Sequence, residues 1–175
     1  LVEPHTDPPE LPATKRSEEE VGTTEVICTL IANELIKDGD TIQIGLGSVS
    51  SPLAMYLGEK NDLGIHTEVI PGGIARLVQD GVINGKYKTV NPGKVVASAG
   101  IGVFPDELEI IDGNPAFEFY DFTYTDDLRL LVNQENYVAV NNALAVDLGG
   151  QACSESFGPA MYTGTGGQTV FTITA

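Results

Sequence analysis

Short apolar runs suited to β-strands alternate with helical patterns along most of this chain, and this alternation limits its fold more than any other feature. The run "TIQIGLG" is predicted to be a strand that ends in glycines, "SPLAMYLGE" a helix with Pro52 in its first turn, and "GIHTEVI" a second strand. Strands that are separated by helices usually pair in parallel. The sequence therefore predicts an α/β fold with a mostly parallel sheet and flanking helices.

The same rhythm continues through the middle of the chain. Helices are predicted at "IARLVQDGV", "DELEIID" and "DDLRLLVNQ", a buried strand at "KVVASAG" and an extended run at "AFEFYDF". From Tyr137 onward the pattern changes to three β-like runs, "YVAVNNALAVDL", "GGQACSES" and "GQTVFTI", divided by glycines. These three runs predict a meander or a group of hairpins.

The start of the chain differs from the rest. Residues 1–16 hold four of the ten prolines and show no hydrophobic period, so we expect a Pro-rich lead-in or linker there and one domain at 17–175. Ser17 and Glu20 have the spacing of a capping box. A helical apolar stripe follows, made of Val21, Ile27, Leu30, Ile31, Leu35 and Ile36.

Composition excludes several classes of partner. With 25 acidic and 9 basic residues, the formal charge of −16 disfavours nucleic acid and anionic lipid surfaces, and few cations are left to hold phosphates. The chain shows neither a membrane-length apolar stretch nor a signal-peptide pattern, so a soluble, cytoplasmic protein is expected. Cys28 and Cys153 lack metal-ligand spacing, which predicts reduced thiols and no metal site.

Glycine-rich segments are the first candidates for ligand binding. "GLGS" (Gly45, Leu46, Gly47, Ser48) follows a predicted strand, where backbone N–H groups can face an anion or oxyanion. A plain tight turn explains it equally well, and the third glycine of a dinucleotide motif is missing. The glycines at 164, 166 and 167 in "YTGTGGQ" would let a ligand approach the backbone, or would only permit positive φ in a loop.

A histidine and a carboxylate form the second candidate. His66 and Glu68 alternate along one predicted strand, so both would face the same side and could act as acid and base. The alternative is a hydrogen-bonded structural histidine at a strand end. A Ser-His-Asp triad has little support, because Ser48, Ser50 and Ser51 are not part of a nucleophile elbow.

Five segments, taken in order, resemble the acetyl-CoA hydrolase/transferase family, which includes the 4-hydroxybutyrate and succinyl/acetate CoA-transferases. They are "DGDTIQIGLGSV", "LGIHTEVIPGGIARLVQDGVI", "VNPGKVVAS", "NNALAVDLGGQACSES" and "MYTGTGGQTVF", and the resemblance spans about residues 17–175. It implies the fold shared by CoA-transferases and ribose-phosphate isomerase-like proteins. It also implies that 17–175 is part of the carboxyl-proximal domain of a longer two-domain enzyme, so the domain is expected to be incomplete.

In these enzymes, a Glu in an "N-x-A-L-E-x-D" segment attacks the acyl-CoA thioester and then forms a glutamyl-CoA intermediate. The matching residue here is Ala145, so the resemblance implies no catalytic residue and no transfer activity in this chain. Asp147 lies two residues away and is a poor substitute. Natural loss of the Glu and its deliberate replacement both stay open.

The resemblance also assigns the glycine segments. It implies that Gly45, Gly47 and Ser48 lie at the thioester oxyanion, and that Gly164, Gly166, Gly167 and Gln168 line the channel for CoA. The expected ligands are acyl-CoA, as substrate and not as a covalently bound cofactor, and a small carboxylate. A homo-oligomer is expected as well. The alternative function is a non-catalytic module that binds CoA or another protein.

Overall fold

The computed structural model describes residues 17–175, so the lead-in predicted at 1–16 lies outside the described residues. The strands of the described part are β1 (Thr41–Ile44), β2 (Gly64–His66), β3 (Val69–Ile70), β4 (Val95–Ala97), β5 (Ala99–Gly100), β6 (Phe117–Phe119), β7 (Tyr137–Val140), β8 (Ala145–Val146), β9 (Ala152–Cys153), β10 (Ser156–Phe157) and β11 (Ala160–Met161). The α-helices are α1 (Glu18–Leu30), α2 (Ile74–Gln79), α3 (Pro105–Ile111), α4 (Phe122–Thr125), α5 (Leu128–Leu131) and α6 (Gln168–Thr174). A π-helical turn (Ile31–Leu35) follows α1, and a 3₁₀ helix (Ser51–Tyr56) replaces the helix predicted at "SPLAMYLGE".

A five-stranded sheet with the order β6-β4-β2-β1-β7 forms the centre of the fold, and all its pairings are parallel. Every residue of β1, β2 and β4 is buried, as expected for strands of a covered parallel sheet. Helical segments pack on this sheet, and Ala32, Leu53 and Ile74 belong to the same core as the strands. The prediction of an α/β fold with a largely parallel sheet is confirmed.

The order of the strands creates a switch point next to β1. The chain moves outward from β1 through β2, β4 and β6 on one side, and then returns to place β7 on the other side of β1. The two strands are in register from Thr41 opposite Tyr137 to Ile44 opposite Val140. In parallel α/β sheets, ligands bind in the crevice beyond the carboxyl ends of the strands at such a switch point.

The first helix begins as predicted but buries a different face. The Ser17 side chain accepts from the Glu20 N–H and the Glu20 carboxylate accepts from the Ser17 N–H, which confirms the capping box. Most of the predicted apolar stripe is solvent-exposed, with Leu30 at 55% and Leu35 at 63%. Of the stripe only Ile36 is fully buried, and the other buried positions of this segment are Cys28 and Ala32, which belong to the same core as the sheet.

The segment "GIHTEVI" is two strands and not one. β2 belongs to the central sheet, whereas β3 pairs with β5 in a separate two-stranded sheet. The chain turns at Thr67, whose buried hydroxyl accepts the Ile44 N–H at 3.3 Å and lies 3.1 Å from the Ile44 carbonyl. This side chain therefore replaces the backbone partner that a continuous strand would have supplied.

The prediction of a meander or a group of hairpins after Tyr137 is confirmed in its middle part and wrong at both ends. β7 joins the parallel sheet, and only the short pairs β8-β9 and β10-β11 are hairpins. The run "GQTVFTI" forms α6 although its Thr, Val and Ile residues favour strands. Tertiary packing decides this helix, because Phe171 is fully buried against Leu131 and Tyr137.

Within residues 17–175, no helix is long and apolar enough to cross a membrane. Cys28 is buried and Cys153 is half-buried, and both are thiols that form no disulfide among the described residues, as predicted. The expected homo-oligomer stays a prediction.

Candidate functional site

A cavity of about 540 Å³ opens at the switch point, beyond the carboxyl ends of β1 and β7. All seven residues that the sequence assigned to CoA binding line it: Gly45, Gly47, Ser48, Gly164, Gly166, Gly167 and Gln168. The first three come from the turn that follows β1, and the last four from the loop that leads into α6 and from the first residue of that helix. The structure therefore brings together two segments that are more than 100 residues apart in sequence.

The turn after β1 is glycine-rich because asparagine side chains occupy the space next to it. A Cβ atom on Gly45 would lie 2.4 Å from Oδ1 of Asn141. Asn141 also exchanges two hydrogen bonds with Gln43: the Gln43 amide donates at 3.0 Å and the Asn141 amide donates back at 2.9 Å. This reciprocal pair links β1 to the segment after β7, so one wall of the cavity is fixed by both strands.

The backbone N–H groups of both predicted oxyanion glycines already have protein partners. The Gly45 N–H donates to the Val140 carbonyl at 2.8 Å and thereby continues the β1-β7 ladder. The Gly47 N–H donates to the Ser51 hydroxyl at 3.2 Å. A thioester oxygen could receive the Gly47 N–H only by replacing that hydroxyl.

The opposite wall of the cavity is the loop before α6. A Cβ atom on Gly167 would meet Phe171 at 2.6 Å, an Asp126 carboxylate oxygen at 2.6 Å and a Glu68 carboxylate oxygen at 2.8 Å. A side chain at 167 would therefore have to displace at least one of these three side chains. Because Phe171 is buried, α6 anchors the loop over the cavity.

The charge inside the cavity is negative. Among the described lining residues, Glu68 is the one charged side chain, and no Lys or Arg lines the cavity. The half-buried carboxyl of Asp126 lies behind Gly167, and burial together with the charge of Glu68 raises its pKa. The remaining wall is made of amides, hydroxyls, glycines and apolar side chains, so it suits a neutral polar chain better than a phosphate.

Ala145 lies beside the cavity and does not line it. It is exposed, belongs to β8 and pairs with Cys153 across the hairpin, while Leu144 just before it is a lining residue. Asp147 has a structural role in the same hairpin. Its carboxylate accepts from the N–H groups of Gly149 and Gln151 at 2.8 and 2.9 Å, and these bonds lower its pKa.

His66 and Glu68 are not brought together as an acid and base pair. The buried Nε2 of His66 donates to the Thr125 carbonyl at 3.0 Å, its Nδ1 has no partner, and the ring does not line the cavity. Burial, with a smaller contribution from the charge of Lys88, lowers the pKa of His66 to about 4. His66 is therefore a neutral structural residue at pH 7.

This burial predicts acid sensitivity. Because the pKa of His66 is about 4 in the folded chain and 6.5 in an unfolded one, the unfolded state binds more protons between these values. Stability should fall as pH drops from about 6.5 to 4, by about 3 kcal/mol in total from this group. Urea unfolding across this range should show a smaller fall for His66→Gln than for the wild type. Equal pH slopes for the two proteins would contradict the prediction.

Sequence reasoning missed several lining residues. Gln43, Ser154 and Tyr162 line the cavity, and so does Phe171. A usable signal existed for Gln43, since an amide inside the otherwise apolar strand "TIQI" needs a buried polar partner. Ser154 lies between β9 and β10 and Tyr162 directly follows β11, so both positions depend on where the short hairpins pack.

A family model for the acetyl-CoA hydrolase/transferase C-terminal domain matches residues 106–175. The 4-hydroxybutyrate coenzyme A transferase of Clostridium kluyveri is 39% identical over 78% of this chain and 32% of its own length. The chain belongs to the acetyl-CoA hydrolase/transferase family. This confirms the resemblance carried by the five sequence segments.

Other relatives agree. The succinyl-CoA:cyclohexane-1-carboxylate CoA transferase of Geobacter metallireducens is 38% identical over 79% of this chain and 32% of its own length. RipA from Yersinia pestis superposes with a TM-score of 0.78 at 30% identity, covering 95% of this chain and 36% of RipA. The 4-hydroxybutyrate CoA-transferase of Porphyromonas gingivalis superposes with a TM-score of 0.67 at 36% identity, covering 73% and 33%. The 175-residue chain spans about a third of the length of the curated relatives that it matches.

Proposed function

We propose that residues 17–175 form a CoA-transferase-like domain that holds the thioester end of an acyl-CoA in the switch-point cavity. The observation that carries this proposal is that both glycine segments implied by the family resemblance line one cavity. The relatives' names describe transfer of CoA between an acyl-CoA and a carboxylate. A pantetheine thioester is neutral, which matches a cavity without Lys or Arg among its described lining residues, whereas the phosphates of CoA would lie outside it.

In the proposed reaction of complete relatives, a Glu carboxylate attacks the thioester carbon and releases the CoA thiolate, which leaves a mixed anhydride. The thiolate then attacks the glutamyl carbonyl and releases the first carboxylate, which leaves glutamyl-CoA. A second carboxylate opens this thioester in the reverse sense. Because the family resemblance aligns Ala145 with this Glu, we propose that the chain binds acyl-CoA but does not transfer it.

Calorimetry with acetyl-CoA tests the binding proposal. We expect a dissociation constant weaker than about 1 μM, because the cavity lacks cations for the phosphates. A Cβ atom on Gly164 would meet no protein atom within 4 Å, and Gly164 lines the cavity, so Gly164→Leu should take up ligand space and weaken binding at least tenfold, about 1.4 kcal/mol.

Gly58 provides the matched control, since a Cβ there also meets nothing within 4 Å and Gly58 does not line the cavity. Gly58→Leu should bind acetyl-CoA like the wild type. The absence of binding up to about 1 mM, or equal loss of affinity in both variants, would overturn the proposed site. Submicromolar binding would favour the alternative, a dedicated CoA-binding module.

A further inference from the structure

Asn142 connects three walls of the cavity. Its Oδ1 accepts the Ser50 N–H at 3.1 Å, and its backbone carbonyl accepts the Ser154 hydroxyl at 2.9 Å. Its amide group also fills the space beside Gly47, where a Cβ atom would lie 2.4 Å from the Asn142 Cγ. The turn after β1, the segment after β7 and the connection between β9 and β10 therefore meet at one residue.

These contacts control the shape of the turn. Ser50, whose N–H is bonded to Asn142, also donates its hydroxyl to the Gly45 carbonyl. This second bond joins the two ends of the turn. Ser51, next in sequence, receives the Gly47 N–H through its hydroxyl. The direction of the Gly47 N–H thus depends on where Asn142 holds the Ser50 backbone.

We infer that Asn142 is a positioning residue for acyl-CoA binding, acting through Ser50 to hold the Gly47 N–H at the cavity wall. The inference rests on the proposed acyl-CoA site. Asn141 has a different role, because its amide exchanges two hydrogen bonds with Gln43 and ties the two strands together. The Gly47 N–H reaches a ligand only by exchanging the Ser51 hydroxyl for it, so a small displacement of this donor is costly, since hydrogen bonds weaken steeply with distance and angle.

The first test compares Asn142→Ala with Asn142→Asp and with Gln134→Ala. Asn142→Asp keeps an oxygen that can accept the Ser50 N–H. Gln134 is a buried amide away from the cavity, whose Oε1 accepts the Val90 N–H at 3.2 Å, so its loss reports on structural damage alone. Amide exchange at Ser50 measures the contact directly, and calorimetry with acetyl-CoA measures its effect on binding.

Asn142→Ala should speed exchange of the Ser50 amide and weaken acetyl-CoA binding, each about tenfold or more. Asn142→Asp should retain slow exchange at Ser50. Gln134→Ala should lower the melting temperature but leave the dissociation constant within about twofold of the wild type. Wild-type affinity in Asn142→Ala, despite fast exchange at Ser50, would overturn the inference and leave the proposed function intact.

A double variant tests the steric contact independently of any ligand. Gly47→Ala should lower the melting temperature, because its Cβ enters the space of the Asn142 amide. In the Asn142→Ala background the same substitution should cost much less, since the obstructing atoms are gone. Additive losses would overturn the contact on which the inference depends. Failure of the wild type to bind acetyl-CoA would instead remove the proposed function, and the positioning role with it.

Discussion

Replacing Ala145 with Glu is expected to produce a covalent CoA adduct that the original chain does not form. The expected product is a glutamyl-CoA thioester, seen by mass spectrometry as a CoA-sized increment that hydroxylamine removes. Ala145 directly follows the lining residue Leu144, so its backbone lies beside the cavity. We expect the reaction to be slow, because a misplaced carboxylate or oxyanion donor costs on the order of a hundredfold in rate.

Ala145→Gln is the matched control, since it has the same length and no nucleophilic carboxylate. It should give no adduct. An adduct with Ala145→Gln, or none with Ala145→Glu under conditions where acetyl-CoA binds, would contradict the alignment of position 145. Transferase turnover by the unmodified chain would contradict it as well, and would direct attention to Glu68, the carboxylate that already lines the cavity.

The parts of the fold that the sequence predicted correctly depend on local signals. The capping box at Ser17 and Glu20 is fixed within one helical turn. The buried parallel strands follow from continuous apolar runs such as "KVVA", which suit a sheet covered on both faces. The glycine turn at Gly45 was predicted because it comes directly after such a strand, β1.

The parts that failed depend on distant packing. A hydrophobic period marks apolar positions on α1, but it does not show that Cys28 and Ala32 form the close contact while Leu30 stays exposed. The β-forming composition of "GQTVFTI" was overridden by burial of Phe171. The cavity residues next to the short hairpins could not be predicted either. The place of these hairpins depends on tertiary packing, which a hydrophobic period in the sequence does not show.

The burial of Lys88 was not predicted from the sequence. The side chain is 4% exposed, and its Nζ donates to the carbonyls of Ile65 and Lys94 at 2.7 and 2.8 Å. A neutral amine has two N–H donors, which these two carbonyls satisfy, whereas the ammonium form has a third that would be left in the interior. Gly64 makes room for the stem, since a Cβ there would lie 2.5 Å from Cγ of Lys88.

Burial lowers the pKa of Lys88 to about 7, although the charge of Glu118 acts in the opposite direction. An unfolded chain would keep the ordinary value of 10.5, so it binds more protons than the folded chain between these two values. The contribution of Lys88 to stability therefore rises with pH from about 7 to 10.5, by roughly 1.4 kcal/mol per pH unit and on the order of 5 kcal/mol in all. Below about pH 7 it is constant, because both states are then protonated.

Denaturant unfolding of the wild type and Lys88→Met between about pH 6 and 10 measures this effect. The variant keeps the apolar stem and cannot titrate, so the stability of the wild type minus that of Lys88→Met should increase steadily above about pH 7. Lys94 is the control, because its Nζ is partly exposed and paired with Glu118 at 3.2 Å. The part of the rise that Lys94→Met does not reproduce belongs to the buried amine of Lys88. A flat difference for Lys88→Met would mean that water or a carboxylate reaches the ammonium, so that this lysine stays charged inside the fold.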